Sequence, residues 1–599
     1  MGRGIPTTEV IAEIVGSGRG AVARTAFARG EDIRMSSQSL GEARVGDLAK
    51  ILVKTRSARV TQVFGKSRAP GAVMSAFLAD NQRGYPTARV VEREVAEIVE
   101  GDPLTDPGRR DCTAQDVVTI DPDGAKDHDD AIAASIEGDA VRIWVHIADV
   151  SHYVLPGTAV DRDASRRGCS VYVPGLVDPM LPSRLSSDLC SLRPGVIRRV
   201  ITVEMVISAD GRITDPRFYR SAIRSQRRFT YPEVDAHFAG AAIDEAGLAA
   251  TIAAARIAAE RLHARRMERG ALELGSNEPV FILSETRVEG VRIEEQTPSH
   301  SLVEECMIAA NEAVAGYLIA RKTPTVFRYH EDPEQHQVDR LYAQLAALGV
   351  ATPPLPDGHL GPSERRAAVS AAAEAVGAHL EGVRARGEID GRAVWVLVLR
   401  ALKQAYYSAD SVTHSGLASA AYLHFTSPIR RYPDLLVHRA LVGALGIGPV
   451  GPPRSELEVD ALASSESERA AVDLERRADR MCAAMVLERE LQASDWATVF
   501  PAEVTGMISR GAFLRFGVAY EGFLPASSLS PGELVLDEQE VSLLNHSGDE
   551  VIRLGDHVEV RVAEIDALRG RVRLERADAP AGAKIARSRA QRRMARRPR

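Results

Sequence analysis

Between Ile120 and Ile132 the chain reads DPDGAKDHDDA, a stretch with a high density of negative charge. Like charges at close range disfavour each other's ionised form, so such a segment needs a positive partner. Hard divalent cations such as Mg²⁺ take carboxylate oxygens as ligands. The stretch therefore predicts a metal-binding loop. Its acidic residues are Asp121, Asp123, Asp127, Asp129 and Asp130.

Two other interpretations of this loop compete with the metal site. An EF-hand calcium loop is disfavoured, because the stretch lacks the closing Glu and is followed by a strand pattern rather than a helix. A solvated acidic turn stays open as the plainer alternative. Pro122 and Gly124 favour an irregular backbone from which several carboxylates can converge. A regular strand would instead send Asp129 and Asp130 to opposite faces.

Length and composition indicate a multidomain globular protein. The chain has 599 residues, which corresponds to about four domains, and 45% of them are hydrophobic. No apolar run approaches the ~20 residues of a membrane span, and the N-terminal MGRGIPTTEV has no hydrophobic signal region. The five cysteines are scattered without a CxxC pair, which argues against a disulfide framework or a zinc site. We expect a cytoplasmic protein with no membrane partner.

The charge is unevenly distributed. The formal net charge is −7, but the last sixteen residues, KIARSRAQRRMARRPR (Lys584–Arg599), carry eight basic side chains and no acid. Without those eight cations the rest of the chain stands at −15. An acidic body with a basic tail is typical of proteins that meet a polyanion. A solvated, disordered tail without a partner is the alternative that this pattern leaves open.

The two ends of the chain have a similar sequence pattern. Residues 1–66 and 500–577 alternate short period-two runs with Gly and polar turns, which predicts a small β-barrel in each. Barrels of this size commonly bind single-stranded nucleic acid. Residues 67–104 read as a linker with a helical segment, and 578–599 as a disordered basic tail.

The middle of the chain mixes strands and helices. Within residues 105–495, VRIWVHIADV and RRVITVEMVIS are typical of buried strands, and LVEECMIAANEAVAGYLIA has the period of a helix. From Ser464 to Ser494 the sequence is helical and rich in charge, which favours a surface helix that packs one apolar stripe. The middle therefore reads as a large α+β domain.

Longer motifs then narrow the choice of family. Downstream of the acidic loop come WVHIADVSHYV, RRGCSVYVPGLVDPMLPSRLSSDLCSL, SLVEECMIAANEAVA, VFRYHEDP and YLHFTSPIRRYPDLLVHR. With these motifs in this order, the chain resembles the RNB family of exoribonucleases, the ribonuclease II and ribonuclease R group, over nearly its whole length. The resemblance implies an α+β central RNB catalytic domain flanked by small OB-type β-barrels, cold-shock-like in front and S1-like behind. The family usually has two front barrels in tandem, whereas this chain has one before residue 105.

The resemblance also implies an activity and a site. It implies Mg²⁺-dependent hydrolysis of RNA from the 3′ end, one nucleotide at a time, to nucleoside 5′-monophosphates, with Mn²⁺ as a substitute cation. The family's four site aspartates match Asp121, Asp127, Asp129 and Asp130, and the one at Asp129 is linked most closely to the chemical step. The family's stacking tyrosine matches Tyr172, and its phosphate-contacting arginine matches Arg430.

The same chemistry follows from the residue types. Phosphodiester hydrolysis needs an activated water and stabilisation of charge on the phosphoryl oxygens, which two metals held by several carboxylates supply. An arginine grips non-bridging oxygens with paired hydrogen bonds. A tyrosine stacks on any base, which suits an enzyme without sequence preference. Asp123 matches no family ligand and reads as a solvated turn residue.

Three further residues are expected to bind substrate. Arg431 adjoins Arg430 and is either a second RNA contact or a structural ion-pair partner. His330, in VFRYHEDP, lies where the family forms part of its RNA channel. Phe513 and Phe516 are three apart on one predicted strand, so at most one is exposed, and S1-type barrels stack bases at the position of Phe513. In the front barrel only Phe27 is available to stack.

The sequence leaves rival functions open. A catalytically inactive RNA-binding protein of the same fold would hold RNA through its barrels, but the intact aspartate set and Arg430 argue against it. A phosphoesterase for small molecules would not need two flanking barrels, and an endonuclease would release internal fragments instead of mononucleotides. We expect a monomer whose partner is RNA, mainly single-stranded with a free 3′ end.

Overall fold

The computed structural model describes residues 7–16, 20–54, 57–272, 277–385, 392–410, 413–494 and 496–578. The basic tail, Lys584–Arg599, lies outside these described residues. No helix within them is long and apolar enough to cross a membrane.

The front of the described chain is an antiparallel five-stranded sheet in the order β3-β2-β1-β4-β5. Its edge strands β3 and β5 lie close to each other, so the sheet curls toward a barrel. Phe27 is buried against Phe77, with ring centroids 5.3 Å apart, so its expected role as a stacking aromatic is wrong. The strands are β1 Thr7–Gly16, β2 Ala21–Thr25, β3 Ile33–Met35, β4 Asp47–Lys54 and β5 Ser57–Lys66.

Residues 67–104 contain two helices, α1 (Pro70–Asp80) and α2 (Arg89–Ala96). Helix α1 starts with Pro at its first position, where the missing N–H costs nothing. Its apolar face, which includes Phe77, is fully buried against the front sheet and the long C-terminal helix described below. This segment therefore fixes the front sheet to the rest of the molecule.

The central domain is built on a sheet in the order β12-β9-β8-β7-β13-β6, as far as the described residues go. Strand β12 also pairs with β13, so the sheet closes on itself. The two runs expected to be buried strands form β9 and β12, whose inward side chains are fully buried. The strands here are β6 Arg110–Asp111, β7 Val117–Asp121, β8 Asp130–Glu137, β9 Ala140–Ala148, the small hairpin β10 Val171–Val173 with β11 Leu176–Asp178, β12 Ile197–Ile207 and β13 Ile213–Thr230.

Helices cover this sheet. The run expected to be helical is α7, and its apolar face packs with α6 on the core of the sheet. The helices are α3 Val150–Tyr153, α4 Ala159–Arg167, α5 Tyr231–Phe238, α6 Ala246–Glu268, α7 Pro298–Ala320, α8 Gln335–Ala347, α9 Pro362–Ala385, α10 Arg392–Ala401 and α11 Tyr432–Ala444. Between them lie the hairpin β14 Asn277–Leu283 with β15 Val288–Glu295, and the paired short strands β16 Phe327–Tyr329 and β17 Tyr406–Ser408.

The charged helix near the C-terminus is longer and more central than expected. It runs as α12 from Arg454 to Ala493 and contacts the front helix α1, the hairpins and the rear barrel. The interpretation as a surface helix with one apolar stripe is wrong, because side chains around more than one face are buried between domains. Helix α12 thus joins the three parts of the molecule.

The rear domain is a closed barrel in the order β18-β19-β20-β25-β24, with a small sheet β21-β22-β23 beside it among the described residues. Together with the front sheet and the central domain, this is the fold class that the sequence predicted. The strands are β18 Phe500–Ile508, β19 Gly511–Phe516, β20 Tyr520–Pro525, β21 Val535–Leu536, β22 Ser542–Leu544, β23 Glu550–Arg553, β24 His557–Asp566 and β25 Arg571–Arg576.

Candidate active site

The four aspartates lie where two neighbouring strands of the central sheet meet a loop. Asp121 is the last residue of β7 and Asp130 is the first of β8, and these strands pair antiparallel. The connecting residues 122–129 are irregular, with Gly124 at a φ of +83°. The structure therefore brings together the carboxylates that the sequence placed on an irregular loop.

Asp129 is the most deeply placed of the four, with 4% of its surface exposed. Its Oδ1 accepts a hydrogen bond from the backbone N–H of Ile429 at 2.8 Å. Its Oδ2 has no hydrogen-bond partner and lies 3.6 Å from Nε of Arg430. Burial, reinforced by the charges of Asp127 and Asp130, raises the pKa of Asp129 well above its ordinary value, against the opposing effect of Arg430 and Ile429.

Asp127 faces the tyrosine that the sequence singled out. The hydroxyl of Tyr172 donates to Asp127 Oδ2 at 2.8 Å. The backbone N–H of Tyr172 donates to Glu475 Oε1 of α12, also at 2.8 Å. The side chain of Tyr172 stays 39% exposed. The ring is therefore held beside Asp127 while part of its surface stays open to solvent.

Asp121 and Asp130 form the other side of the cluster, with His128 between them. His128 Nδ1 lies 2.9 Å from Asp121 Oδ2. Burial, and then the charge of Asp121, raises the pKa of Asp130 to about 7. The charges of Arg430, His128 and Arg431 oppose this rise in the pKa of Asp130 but do not outweigh the effect of burial.

Arg430 ends the turn that precedes α11 and Arg431 follows it, and the two side chains differ in environment. The Arg430 side chain is 44% exposed, and its Nη2 donates to Ser427 Oγ at 2.9 Å. The Arg431 side chain is largely buried, and its Nη2 donates to the fully buried Asp434 at 2.7 Å. Arg430 is thus free to reach a ligand, whereas Arg431 is bound into the fold.

A pocket of about 210 Å³ opens beside the aspartates. Its lining includes Tyr172, Arg430, Arg431, Tyr407, Glu468 and Glu475. It combines an exposed aromatic ring with a guanidinium group, which is the combination that grips a base and its phosphate.

Two of the expected substrate-binding residues lie elsewhere. His330 is buried, its Nδ1 accepts from the N–H of Gly416 at 2.8 Å, and its ring stacks on His414. The structure thus corrects the expectation for His330, because its ring is used inside the fold. Phe513 lies on the rear barrel, 46% exposed and 5.2 Å from Phe523 between ring centroids, while Phe516 is buried.

The donor set fits a hard divalent cation in its chemistry. Oδ2 of Asp121 and Oδ2 of Asp129 are buried without hydrogen-bond partners, and unpaired buried carboxylate oxygens are costly unless a cation meets them. In the described chain, no group of three or more His, Cys, Asp or Glu side chains is gathered closely enough to hold a metal as it stands. Hydrogen bonds from Tyr172 and Ile429 occupy two of the remaining carboxylate oxygens.

The sequence alone did not identify three residues that contact the predicted site residues. His128 was read only as part of the acidic stretch, Ile429 acts through its backbone, and Glu475 belongs to a helix far along the chain. For His128 there was a signal, since it stands between two predicted ligands. For the other two there was none, because their roles depend on which elements pack against the loop.

Comparisons with known proteins agree with this architecture. The RNB domain model matches residues 109–447, and the S1 RNA binding domain model matches residues 497–577. The chain therefore belongs to the RNB family.

Individual relatives span much of the chain. Ribonuclease R of Escherichia coli (strain K12) is 32% identical over 559 residues, which are 89% of this chain and 66% of the relative, so the chain spans slightly less than two thirds of that protein. RNase R of Mycoplasma genitalium, solved in complex with ribose methylated single-stranded RNA, has a TM-score of 0.81 and 23% identity and covers 95% of this chain and 89% of its own. Yeast Ssd1, described as a pseudonuclease, has a TM-score of 0.62 and 16% identity and covers 91% of this chain and 68% of its own. The two structural likenesses show the fold alone.

Proposed function

We propose that this protein is a Mg²⁺-dependent 3′→5′ exoribonuclease that hydrolyses single-stranded RNA processively to nucleoside 5′-monophosphates. The observation that carries the proposal is the meeting of Asp121, Asp127, Asp129 and Asp130 beneath the exposed Arg430 and Tyr172. Membership of the RNB family and similarity to ribonucleases R support it. Structured RNA is a further proposed substrate.

Each residue has a proposed task. The four aspartates hold divalent cations, Mg²⁺ with Mn²⁺ as a substitute. When bound, such cations lower the pKa of a coordinated water and neutralise charge on the phosphoryl oxygens. Arg430 holds the non-bridging oxygens of the scissile phosphate, and Ser427 orients its guanidinium. Tyr172 stacks on a base near the 3′ end, with Glu475 fixing its backbone.

The remaining assignments are proposals as well. We divide the chain into a front barrel (1–66), a helical linker (67–104), a catalytic domain (105–495), an S1-type barrel (500–577) and a basic tail (578–599). Phe513 stacks RNA on the S1-type barrel, and a narrow channel selects single strands with a free 3′ end. The protein acts as a monomer in the cytoplasm, in keeping with five free cysteines.

The test follows a 5′-labelled single-stranded RNA with Mg²⁺, with EDTA, and with Asp129→Asn. We expect the full-length RNA to be consumed from its 3′ end with few intermediates, as a processive enzyme requires, and nucleoside 5′-monophosphates to accumulate, with both changes lost in the two controls. Internal fragments would indicate an endonuclease. Tight binding without Mg²⁺-dependent shortening would indicate the inactive RNA-binding alternative, and either result would overturn the proposal.

A further inference from the structure

His128 is the one polar side chain inside the acidic loop that is neither a carboxylate nor solvent-exposed. It is 5% exposed. Its backbone N–H donates to Ser191 Oγ at 3.2 Å, and its carbonyl accepts from the N–H of Leu192 at 3.0 Å. These bonds fix the backbone of the loop at His128. The ring is consequently held inward, toward the carboxylates.

The ring nitrogen of His128 and the carboxylate of Asp121 face each other without forming a hydrogen bond. Nδ1 lies 2.9 Å from Asp121 Oδ2, yet the ring N–H direction misses that oxygen. In the described chain both atoms are buried and lack any hydrogen-bond partner. A buried unpaired polar atom is costly, and two that face each other leave a position for a third group that contacts both.

A divalent cation satisfies both atoms at once. Two ligands that lie ~2.1 Å from one ion and at right angles to each other are ~3 Å apart, close to the separation seen here. The other half of the cluster, Asp127 and Asp129, faces Tyr172 and Arg430 and offers oxygen donors.

We propose that His128 Nδ1 is a direct ligand of a divalent cation that Asp121 also holds, and that this nitrogen makes the position prefer Mn²⁺ or Co²⁺ to Mg²⁺. Imidazole favours transition ions over Mg²⁺, which takes oxygen ligands almost exclusively. The inference deepens the proposed function, on which it rests. It assigns the two halves of the cluster different metal preferences.

The decisive measurement is pulsed electron paramagnetic resonance of the full chain, stripped with EDTA and reloaded with one equivalent of Mn²⁺. We expect electron spin echo modulation from a directly bound ¹⁴N nucleus. The signal should vanish in His128→Phe and persist in His336→Phe, a control at a histidine whose side chain is 73% exposed. No ¹⁴N modulation in the unsubstituted protein, or an unchanged signal in His128→Phe, would overturn the proposal.

Binding constants give a second readout. Calorimetric titration should show that His128→Phe weakens Mn²⁺ binding by about tenfold or more, while Mg²⁺ binding changes by less than about threefold. His128→Asn, which keeps a polar donor of similar reach, guards against a folding defect, and metal-free melting curves check both variants. Equal weakening of Mn²⁺ and Mg²⁺ without ¹⁴N modulation would mean that His128 only orients Asp121, and would overturn direct ligation.

RNA hydrolysis separates this inference from the proposed function. Mg²⁺-supported shortening of RNA without ¹⁴N modulation would leave the exoribonuclease standing and remove the role of His128. Strong ¹⁴N modulation in a protein that hydrolyses no RNA would establish the histidine ligand and remove the activity. The two proposals can therefore fail independently.

Discussion

At the scale of single residues, the environment of the Asp129 carboxylate is unfavourable for the stability of the fold. Its carboxylate is buried among other carboxylates, and one oxygen has no hydrogen-bond partner. Desolvation of this charge, which the half-exposed Arg430 at 3.6 Å only partly offsets, opposes folding. The side chain therefore costs stability in the metal-free protein, and in our proposal it gains its role when a cation is present.

Replacing Asp129 with Asn should accordingly leave the metal-free fold intact or stabilise it. The amide oxygen can still accept from Ile429 N–H, while the buried charge is removed. We expect a melting temperature in EDTA at least equal to that of the unsubstituted protein, with RNA hydrolysis reduced by at least about a thousandfold. Asp123→Asn, at an exposed position in the same loop, should change neither quantity. A clear loss of stability in Asp129→Asn would show that the carboxylate is structural.

The adjacent arginines should separate activity from stability. Arg430→Ala is expected to lower the hydrolysis rate by about 10²–10³-fold with little change in melting temperature, since its side chain is half-exposed. Arg431→Ala should instead destabilise the fold by about 3–5 kcal/mol, because it leaves the buried carboxylate of Asp434 without its cationic partner. Denaturant unfolding and single-turnover hydrolysis of both variants test this. The reverse pattern would exchange their roles.

At the scale of elements, the two flanking domains are unequally equipped to hold RNA. The front sheet has Phe27 and Phe64 as its aromatic residues in the region 1–66, and both pack toward the interior. The rear barrel exposes Phe513 beside Phe523. Base stacking on aromatic rings is worth ~1–3 kcal/mol per base. We therefore expect the rear barrel to contribute more than the front sheet to RNA binding that does not depend on the base sequence.

Phe513→Ala should weaken binding of an RNA long enough to reach the rear barrel by about five- to a hundredfold. Hydrolysis of a short oligonucleotide that fills only the central site should be unchanged. Val535→Ala, at a similarly exposed apolar position of the rear domain, serves as the control. Filter binding and hydrolysis of matched long and short RNAs measure the difference. An equal effect on both lengths would place Phe513 outside the RNA path.

At the scale of the whole molecule, the domains are tied together at a few points. Arg569, between β24 and β25, donates from Nη2 to the carbonyls of Thr25 and Ala28 at 2.8 and 2.7 Å, so the rear barrel is bonded to the front sheet. The adjacent Gly570, with a φ of +58°, lies against the backbone of α12, where a Cβ would come within 2.9 Å of Met481. These contacts tie the rear barrel both to the front sheet and to α12.

The basic tail acts, in our proposal, on this assembled molecule as a whole. Deleting Lys584–Arg599 removes eight cations from a chain that is otherwise acidic. We expect about tenfold weaker binding to a duplex with a 3′ overhang at low salt, a smaller loss at high salt, and little change in hydrolysis of short single strands. Binding isotherms across a salt series test this. Equal losses on duplex and short single strands would contradict a role in holding structured RNA.

The sequence by itself determined the position of the acidic loop, the strand and helix periods of the central domain and the strand-and-turn pattern of a small β-barrel at each end. These features are local, because charge density, apolar period and turn residues are all defined by residues that lie close together in the sequence. The helical run from Ser464 was found correctly, but its position was not, because burial of α12 on several sides depends on the domains around it.

Only the tertiary structure decided which neighbours in sequence share a task. Arg430 and Arg431 are adjacent in the chain, yet one faces the pocket and the other is paired with Asp434. His330 was predicted to meet substrate and is instead hydrogen-bonded to Gly416 inside the fold. The metal-binding role that we propose for His128 depends on the short distance between its Nδ1 and Oδ2 of Asp121, which lies seven positions earlier in the chain. Such roles follow from the direction in which a side chain points and from what packs against it, and spacing along one chain specifies neither.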